Sequence, residues 1–258
     1  MTANKGGPQI PNVRGGYKPN SSSNVLTYVL VSLATLLIAA LVIGGVVWSA
    51  NREKDAKDQA TTSVDLNGPV TPGVADLTFG APEAPVAIDI YEDAMCPACA
   101  AFEQTDGAAV ADAIRGGKLR VRFRPLNFLN EASASKDYST RAAGALQCVA
   151  GEKNQDLFLK FHTSLFEDQP AEYGKTDHSN DELAKMSAKA GATVETQRCI
   201  AKGAQVGAAA ASAQESSTLL TDITKRDDPT GSVSTPSITR DGKLLKRTDK
   251  WLQDLLGN

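Results

Sequence analysis

Residues 85–99, Pro-Val-Ala-Ile-Asp-Ile-Tyr-Glu-Asp-Ala-Met-Cys-Pro-Ala-Cys, contain both a buried-strand pattern and a pair of closely spaced cysteines. The first part, Pro85–Tyr91, is a short apolar run of the kind that forms a buried strand. Residues with helical character follow from 97 to about 115, where two glycines end them. Cys96 and Cys99 are therefore predicted to lie where a strand passes into a helix.

This position gives the two cysteines different chemistry. Cys96 falls at the helix start, where unpaired backbone N–H groups and the helix dipole favour a negative charge. Pro97 suits the first helical position, since its missing N–H is not needed there. Because the thiolate is the reactive form of cysteine, Cys96 is the predicted nucleophile. Cys99, one turn further on, is the predicted resolving thiol.

A Cys-x-x-Cys pair can also be half of a zinc site or a purely structural disulfide. A zinc site needs two more ligands, usually as a second close pair. The other cysteines, Cys148 and Cys199, are far apart in the sequence, and His162 and His178 have no ligand spacing to either. We therefore predict no metal, and a redox-active Cys96–Cys99 pair without a further cofactor.

Downstream of the motif, strand and helix patterns alternate. Lys118–Arg124 sets three apolar residues against three arginines, which predicts a strand with one apolar and one basic face. The arginines could bind an anion or simply face solvent. From about 133 to 225 the composition indicates several packed helices, with breaks near Pro170–Gly174 and Gly191.

Near the end of the chain, Thr235-Pro236 precedes a segment that Asp241-Gly242 folds into a hairpin, and 251–256 suit a closing amphipathic helix. A proline at this place, far downstream of the cysteines and just before a strand, predicts a cis bond beside the redox site. Thr235 would then offer backbone groups to an extended substrate segment. The alternative is an ordinary trans turn proline.

Together these features resemble the DsbA family of the thioredoxin superfamily, over residues 74–258. The order strand, Cys-Pro-Ala-Cys, helix, helical insertion (about 130–228), Val-Ser-Thr-Pro, hairpin and last helix carries the resemblance, as do Asp93 and Phe102-Glu103. It implies an α/β thioredoxin fold with an inserted all-helical domain, and oxidation of thiols in secreted proteins.

Two positions depart from the family pattern. Ala98 stands where the family often has histidine, which removes one stabiliser of the Cys96 thiolate. Ile90 stands where many members carry a buried glutamate that relays protons. Asp89 and Glu92 are the nearby acids, and the sequence leaves open which of them serves Cys99.

Cys148 and Cys199 both fall in predicted helices of the insertion. An even pair in an oxidising compartment suggests a structural disulfide, and similar membrane-anchored members of the resembling family carry a second bridge. The alternative is two separate buried thiols.

The amino-terminal part carries the signal for location. Residues 25–48 form a run of 24 residues without a charge, enough for a helix of roughly 36 Å that crosses a bilayer. A cleavable signal peptide would have a shorter apolar run and a small-x-small site, which Trp48-Ser49-Ala50 does not provide. We predict one transmembrane helix over 25–48.

The flanking segments set the expected orientation. Residues 1–24 are basic, without an acid, and rich in Gly, Pro, Asn and Ser, so we expect a disordered cytoplasmic tail. Residues 49–73 are a polar linker. The domain 74–258 would then lie outside the cell membrane, held by a single-pass anchor.

The predicted function is an extracytoplasmic thiol–disulfide oxidoreductase. The most direct version is a monomeric oxidase that transfers the Cys96–Cys99 disulfide to reduced secreted proteins, and the resemblance implies re-oxidation by a membrane quinone-linked protein. A net charge of −3 gives no reason to expect nucleic-acid binding. The alternatives are a reductase or isomerase, for example in cytochrome maturation, and a tethered chaperone-like binding module without catalysis.

Overall fold

The computed structural model describes Leu30 and residues 77–257. Strands and helices alternate along 77–257 as β1 Thr78–Phe79, β2 Val86–Asp93, α1 Pro97–Phe102, α2 Ala108–Arg115, β3 Leu119–Leu126, α3 Tyr138–Ala150, α4 Gln155–Glu167, α5 Asn180–Ala190, α6 Val194–Ala201, α7 Val206–Asp227, β4 Ser237–Arg240, β5 Lys243–Leu244 and α8 Trp251–Leu256. A π-helical turn, Glu103–Gly107, joins α1 to α2, and a short 3-10 turn, Asn130–Ala132, follows β3.

The strands form one sheet in the order β1-β3-β2-β4-β5. The central strand, β2, runs parallel to β3, with Ile90 opposite Phe123, and antiparallel to β4, with Ile90 opposite Ile238. A strand in this place has neighbours on both edges, and its large apolar residues Val86, Ile88, Ile90 and Tyr91 are buried, whereas Ala87 is exposed. Its carboxyl end leads directly into Cys96.

The alternation over Lys118–Arg124 produces the predicted strand. Leu119, Val121 and Phe123 are buried, while the arginines occupy the other face. On that face the Nε atom of Arg124 lies 3.2 Å from a carboxylate oxygen of Asp89. The strand prediction is confirmed, and Asp89 supplies the anionic partner of Arg124 and, at 3.6 Å, of Arg122.

The helix predicted from 97 to 115 is interrupted by the π turn. An added Cβ at Gly107 would lie 2.6 Å from Oε2 of Glu103, so only glycine leaves room for that carboxylate against the turn. A π turn contains one more residue per turn than an α-helix. Amphipathic periodicity over so short a stretch does not reveal it.

The segment between β3 and β4 holds five helices, α3–α7, which confirms the predicted helical insertion. Gly191 ends α5 in the left-handed conformation, with φ 108°, as the sequence pattern indicated. Two further breaks, at 151–154 and 202–205, divide the region into shorter helices than its composition shows. α3 is buried along almost its whole length, because its small alanines allow neighbouring helices to approach from several sides.

The carboxyl-terminal hairpin and helix also follow the sequence. Asp241 and Gly242 have φ values of 52° and 70°, the left-handed pair that a tight two-residue hairpin requires. The return strand β5 is only two residues long. Trp251 and Leu252 bury the apolar face of α8.

The predicted tail (1–24), membrane helix (25–48) and linker (49–73) lie outside the described residues, apart from Leu30. Among the helices that the structure does describe, none combines the length and apolar character needed to cross a bilayer.

Candidate redox site

The two motif cysteines differ sharply in exposure. Cys96 is the residue that precedes the first turn of α1, with Pro97 as the first helical residue, and its carbonyl oxygen accepts from the N–H groups of Cys99 (3.0 Å) and Ala100 (3.1 Å). The side chain of Cys96 is partly exposed, whereas Cys99 is fully buried. Both are free thiols. Only Cys96 can therefore be reached by another protein.

The surroundings also separate the acidities of the two thiols. A hydrogen bond from the Cys99 side chain lowers the pKa of Cys96 to about 6, against the opposing effect of partial burial. Hydrogen bonds from the Thr235 side chain and from the backbone N–H groups of Cys99 and Ala98 lower it further. Burial, the hydrogen bond with Cys96 and the charge of Glu92 raise the pKa of Cys99 far above its usual range. At neutral pH the site thus holds one thiolate and one thiol.

This difference predicts the pH dependence of alkylation. With a pKa of about 6, about nine tenths of Cys96 is thiolate at pH 7. The rate of iodoacetamide labelling of the reduced protein, followed by mass spectrometry of the Cys96 peptide, should have its midpoint near that pH. In Cys99→Ala the midpoint should move upward, because the largest stabilising hydrogen bond is lost. A wild-type midpoint near the free-cysteine value of about 8.5 would contradict the assigned acidity.

Thr235 and Pro236 lie directly opposite Cys96. The Thr235–Pro236 peptide bond is cis, and the Cys96 thiol donates to the Thr235 carbonyl oxygen with an Sγ to O distance of 3.6 Å. β4 begins at the next residue and pairs with β2. The downstream proline and the cysteine motif therefore belong to one site.

Two further residues hold the Cys96 turn in place. Gln169, just after α4, donates from Nε2 to the carbonyl oxygens of Ala94 (3.0 Å) and Cys96 (3.1 Å). Asp93 is buried and accepts from the Met95 N–H, at 2.9 Å. In the sequence, Asp93 is marked only by the family resemblance. Gln169 carries no signal there, because a glutamine in a polar loop has no distinctive pattern.

Asp93 also connects the turn to neighbouring segments. Its carboxylate accepts from the hydroxyl of Ser139 on α3 (2.6 Å) and from the N–H of Leu129 (3.0 Å). A buried carboxylate with several donors is well satisfied, so it fixes the end of β2 against the insertion.

The two candidate relay acids point in different directions. Successive side chains on a strand alternate between faces, so Asp89 and Glu92 lie on opposite sides of β2. Asp89 contacts Arg124 and, at 3.6 Å, Arg122. Glu92 is buried on the side of the cysteines, and its charge acts on both Cys96 and Cys99.

Glu92 belongs to a buried cluster that also contains Glu103 and His162. Nε2 of His162 lies 3.2 Å from Oε2 of Glu92, and Nδ1 lies 3.6 Å from Oε2 of Glu103. The Glu92 contact is an ion contact without hydrogen-bond alignment, and within the described residues neither Glu92 oxygen has an aligned donor. Sequence spacing offered a partial signal only: His162 lies four residues from Phe158 and from Phe166, on the apolar face of α4.

Burial and the neighbouring charges shift the pKa values of Glu92 and His162. Burial, followed by the charge of Glu103, raises the pKa of Glu92 to about 7. Burial disfavours the His162 cation, but the Glu103 and Glu92 carboxylates outweigh it and raise the pKa of His162 to about 10. At neutral pH His162 is therefore a cation, and Glu92 lies close to its own midpoint of titration.

The cluster has the composition of a metal site but not its arrangement. The two carboxylates face different nitrogens of the same ring, and one imidazole binds a single metal ion through a single nitrogen. One of the glutamates would have to move before all three residues could share an ion. The geometry is that of an ion triad.

Away from the redox pair, Cys148 of α3 and Cys199 of α6 are joined in a disulfide, with Cα atoms 5.9 Å apart. Cys148 and Cys199 therefore cannot join Cys96 and Cys99 in binding a metal ion.

A reactive cysteine at the start of a helix, a buried partner thiol and a cis-proline opposite them, on a thioredoxin sheet with a helical insertion, define a thiol–disulfide oxidoreductase domain. The chain belongs to the thioredoxin family, whose model matches residues 73–257. Within it the domain is of the DsbA/DsbG type.

Solved structures support this placement. The reduced form of the disulfide oxidoreductase DsbG from Mycobacterium tuberculosis is 25% identical, with a TM-score of 0.59, over 70% of this chain and 85% of that one. MdbA, a thiol-disulfide oxidoreductase from Corynebacterium matruchotii, is also 25% identical, with a TM-score of 0.59, over 77% of this chain and 98% of that one.

A curated relative has a different overall role. The serine/threonine-protein kinase PknE of Mycobacterium tuberculosis is 33% identical over 181 residues, which are 69% of this chain and 31% of the kinase. The chain thus spans about a third of the length of the curated relatives it matches.

Proposed function

We propose that the protein is an extracytoplasmic oxidase that introduces disulfides into secreted proteins through Cys96 and Cys99. The acidity of Cys96 carries this proposal. A reduced form that is stabilised by a low-pKa thiolate gives up its disulfide readily, which makes the couple oxidising. Charge-free residues 25–48, behind a basic tail, support a membrane anchor that holds the domain outside.

The oxidation proceeds in two exchanges. A substrate thiolate attacks Cys96 of the Cys96–Cys99 disulfide, which forms a mixed disulfide and releases Cys99 as a thiolate that takes up a proton. A second substrate thiolate then attacks the substrate sulfur, which forms the substrate disulfide and releases the Cys96 thiolate. The substrate is oxidised by two electrons, and the enzyme is left as the dithiol.

The roles of the other site residues follow from their places. Thr235, opposite Cys96, would pair through its backbone with an extended substrate segment. Glu92, buried beside both cysteines, would exchange the proton of Cys99; Asp89, which contacts Arg124, is the weaker candidate. Re-oxidation of the dithiol would be the task of a membrane quinone-linked protein.

The reduction potential of the full chain tests the direction of the reaction. Equilibration with glutathione buffers, with thiols trapped by alkylation, should give a potential above about −200 mV, on the oxidising side of the glutaredoxins. A value near about −270 mV, as in thioredoxin, would overturn the oxidase and favour the reductase. Cys96→Ala, which has lost the couple, is the control.

A binding module without catalysis is the second candidate, and the cis Thr235–Pro236 bond, whose backbone could pair with an extended segment of a partner, favours it. In that case Cys96→Ala would leave the biological activity of the chain unchanged, whereas the oxidase requires its loss.

A further inference from the structure

The ion triad beside the redox pair is assembled from three separate parts of the fold. Glu92 ends β2, Glu103 begins the π turn, and His162 lies in the middle of α4, within the helical insertion. The side chains of all three are at most 7% exposed. Two acids and one base that are almost fully buried influence one another strongly, since little solvent screens them.

The structure holds both partners of Glu92 in defined positions. The ring of His162 packs between aromatic rings, with centroid distances of 4.7 Å to Phe123 and 5.1 Å to Phe166. The Glu103 carboxylate lies against Gly107, where an added Cβ would come within 2.6 Å of its Oε2 atom. His162 cannot swing away from Glu92 without repacking of these aromatic rings, and the Glu103 carboxylate lies beside the other nitrogen of the same imidazole.

The other described neighbours of Glu92 add little charge, so His162 and Glu103 decide the balance between its ionised and protonated forms. α1 contributes the redox thiols themselves. β3 contributes the apolar Phe123, while Arg124 is turned towards Asp89. The polar group that α3 contributes near the end of β2, Ser139, is uncharged and donates to Asp93.

We propose that His162 and Glu103 are opposing positioning residues, which set whether Glu92 is free to accept the proton of Cys99. This inference rests on the proposed function, in which Cys99 must lose its proton each time the pair is re-oxidised. The His162 cation favours the ionised, proton-accepting form of Glu92. The Glu103 carboxylate favours the protonated form, which cannot accept.

The step at issue is the resolution of a mixed disulfide. When the Cys96 thiolate attacks glutathione disulfide, a Cys96–glutathione bond forms and one glutathione leaves as a thiolate. Glu92 takes the proton of Cys99, and the Cys99 thiolate attacks the Cys96 sulfur. The Cys96–Cys99 bond forms as the second glutathione leaves; the glutathione disulfide has been reduced and the enzyme oxidised. Glu92 then releases its proton to solvent.

Two substitutions should move this step in opposite directions. The rate of resolution, measured on the full chain by acid quench and mass spectrometry, should rise with pH around a midpoint near 7. His162→Gln should move the midpoint upward by about 1 unit or more, which lowers the rate at pH 7 about five-fold. Glu103→Gln should move it downward by a similar amount, which raises the rate at pH 6 about five-fold.

Two control variants distinguish an electrostatic effect on Glu92 from a structural disturbance caused by the substitutions. The double variant, which lacks both charges, should return towards the wild-type midpoint. His178→Gln, whose side chain contacts Asp168 in the wild type, should leave the midpoint unchanged. A structural disturbance would instead slow every variant without opposite shifts. If His162→Gln fails to fold, the downward shift of Glu103→Gln decides the question alone.

The outcomes distinguish the two proposals. A wild-type protein that never resolves the mixed disulfide, at any pH, would overturn the proposed function. If the wild type resolves the mixed disulfide normally and both single variants keep the wild-type midpoint, only the roles of His162 and Glu103 would be overturned.

Discussion

Replacing Cys96 with alanine should reduce the oxidation of reduced test proteins by on the order of 10³-fold or more, to the background rate. Cys96 is the exposed thiol of the pair and the more acidic one, and Cys99 is fully buried, so no other motif sulfur can receive a substrate thiolate. The assay follows the gain of activity or loss of free thiols in a reduced secreted protein. The fold should be unaffected, because alanine fills less space at a partly exposed position.

Cys99→Ala is the matched variant for this experiment. It keeps Cys96 but removes the resolving thiol. When the variant is incubated with glutathione disulfide, the Cys96 thiolate attacks it and one glutathione leaves, so the Cys96–glutathione mixed disulfide should accumulate and be visible as a mass increase. Equal oxidase activity in Cys96→Ala and wild type would refute the assignment of the nucleophile. Failure of Cys99→Ala to form any mixed disulfide would refute the division of roles.

Removing the Cys148–Cys199 disulfide by double alanine substitution should lower the free energy of unfolding by about 4 kcal/mol. The bridge closes a loop with a sequence separation of 51, and most of its effect comes from the restriction it places on the unfolded chain. Denaturant unfolding, followed by circular dichroism, measures the change as a lower midpoint.

The redox activity of the folded double variant should persist, because the bridge joins α3 to α6 and neither cysteine belongs to the redox site. Non-reducing peptide mapping of the wild type provides the control and should recover the two cysteines as one cross-linked pair. A loss of stability below about 1 kcal/mol would show that the unfolded chain is little restricted by this bridge.

Local sequence signals were sufficient for the redox pair and its frame. An apolar run that ends in Cys-Pro-Ala-Cys predicts a strand-to-helix junction, because residues close together in the sequence determine where a strand runs and where a helix begins. Thr235-Pro236 and Asp241-Gly242 are equally local, since each restricts its own backbone. These local signals predicted the elements, and the resemblance to the DsbA family that they carry implied the thioredoxin fold with its helical insertion.

The charges that surround the redox pair could not be predicted in the same way. Glu92 and Asp89 are both acids on one strand, and alternation shows only that they face opposite sides. Which side holds the cysteines and His162 depends on how α4 packs against β2, a contact between residues far apart in the sequence. The ion triad and the Gln169 contact to Cys96 are products of that packing.

α4 and the residue pair it supplies have a consequence for protein engineering. His162, within the helix, contacts the buried Glu92 at the end of β2. Gln169, just beyond the helix, donates to the backbone carbonyl of Cys96. A chimaera that exchanges the helical insertion between homologues would thus alter the reactivity of cysteines that it does not contain. We therefore expect that grafting the insertion offers a route to oxidoreductases with altered pH optima.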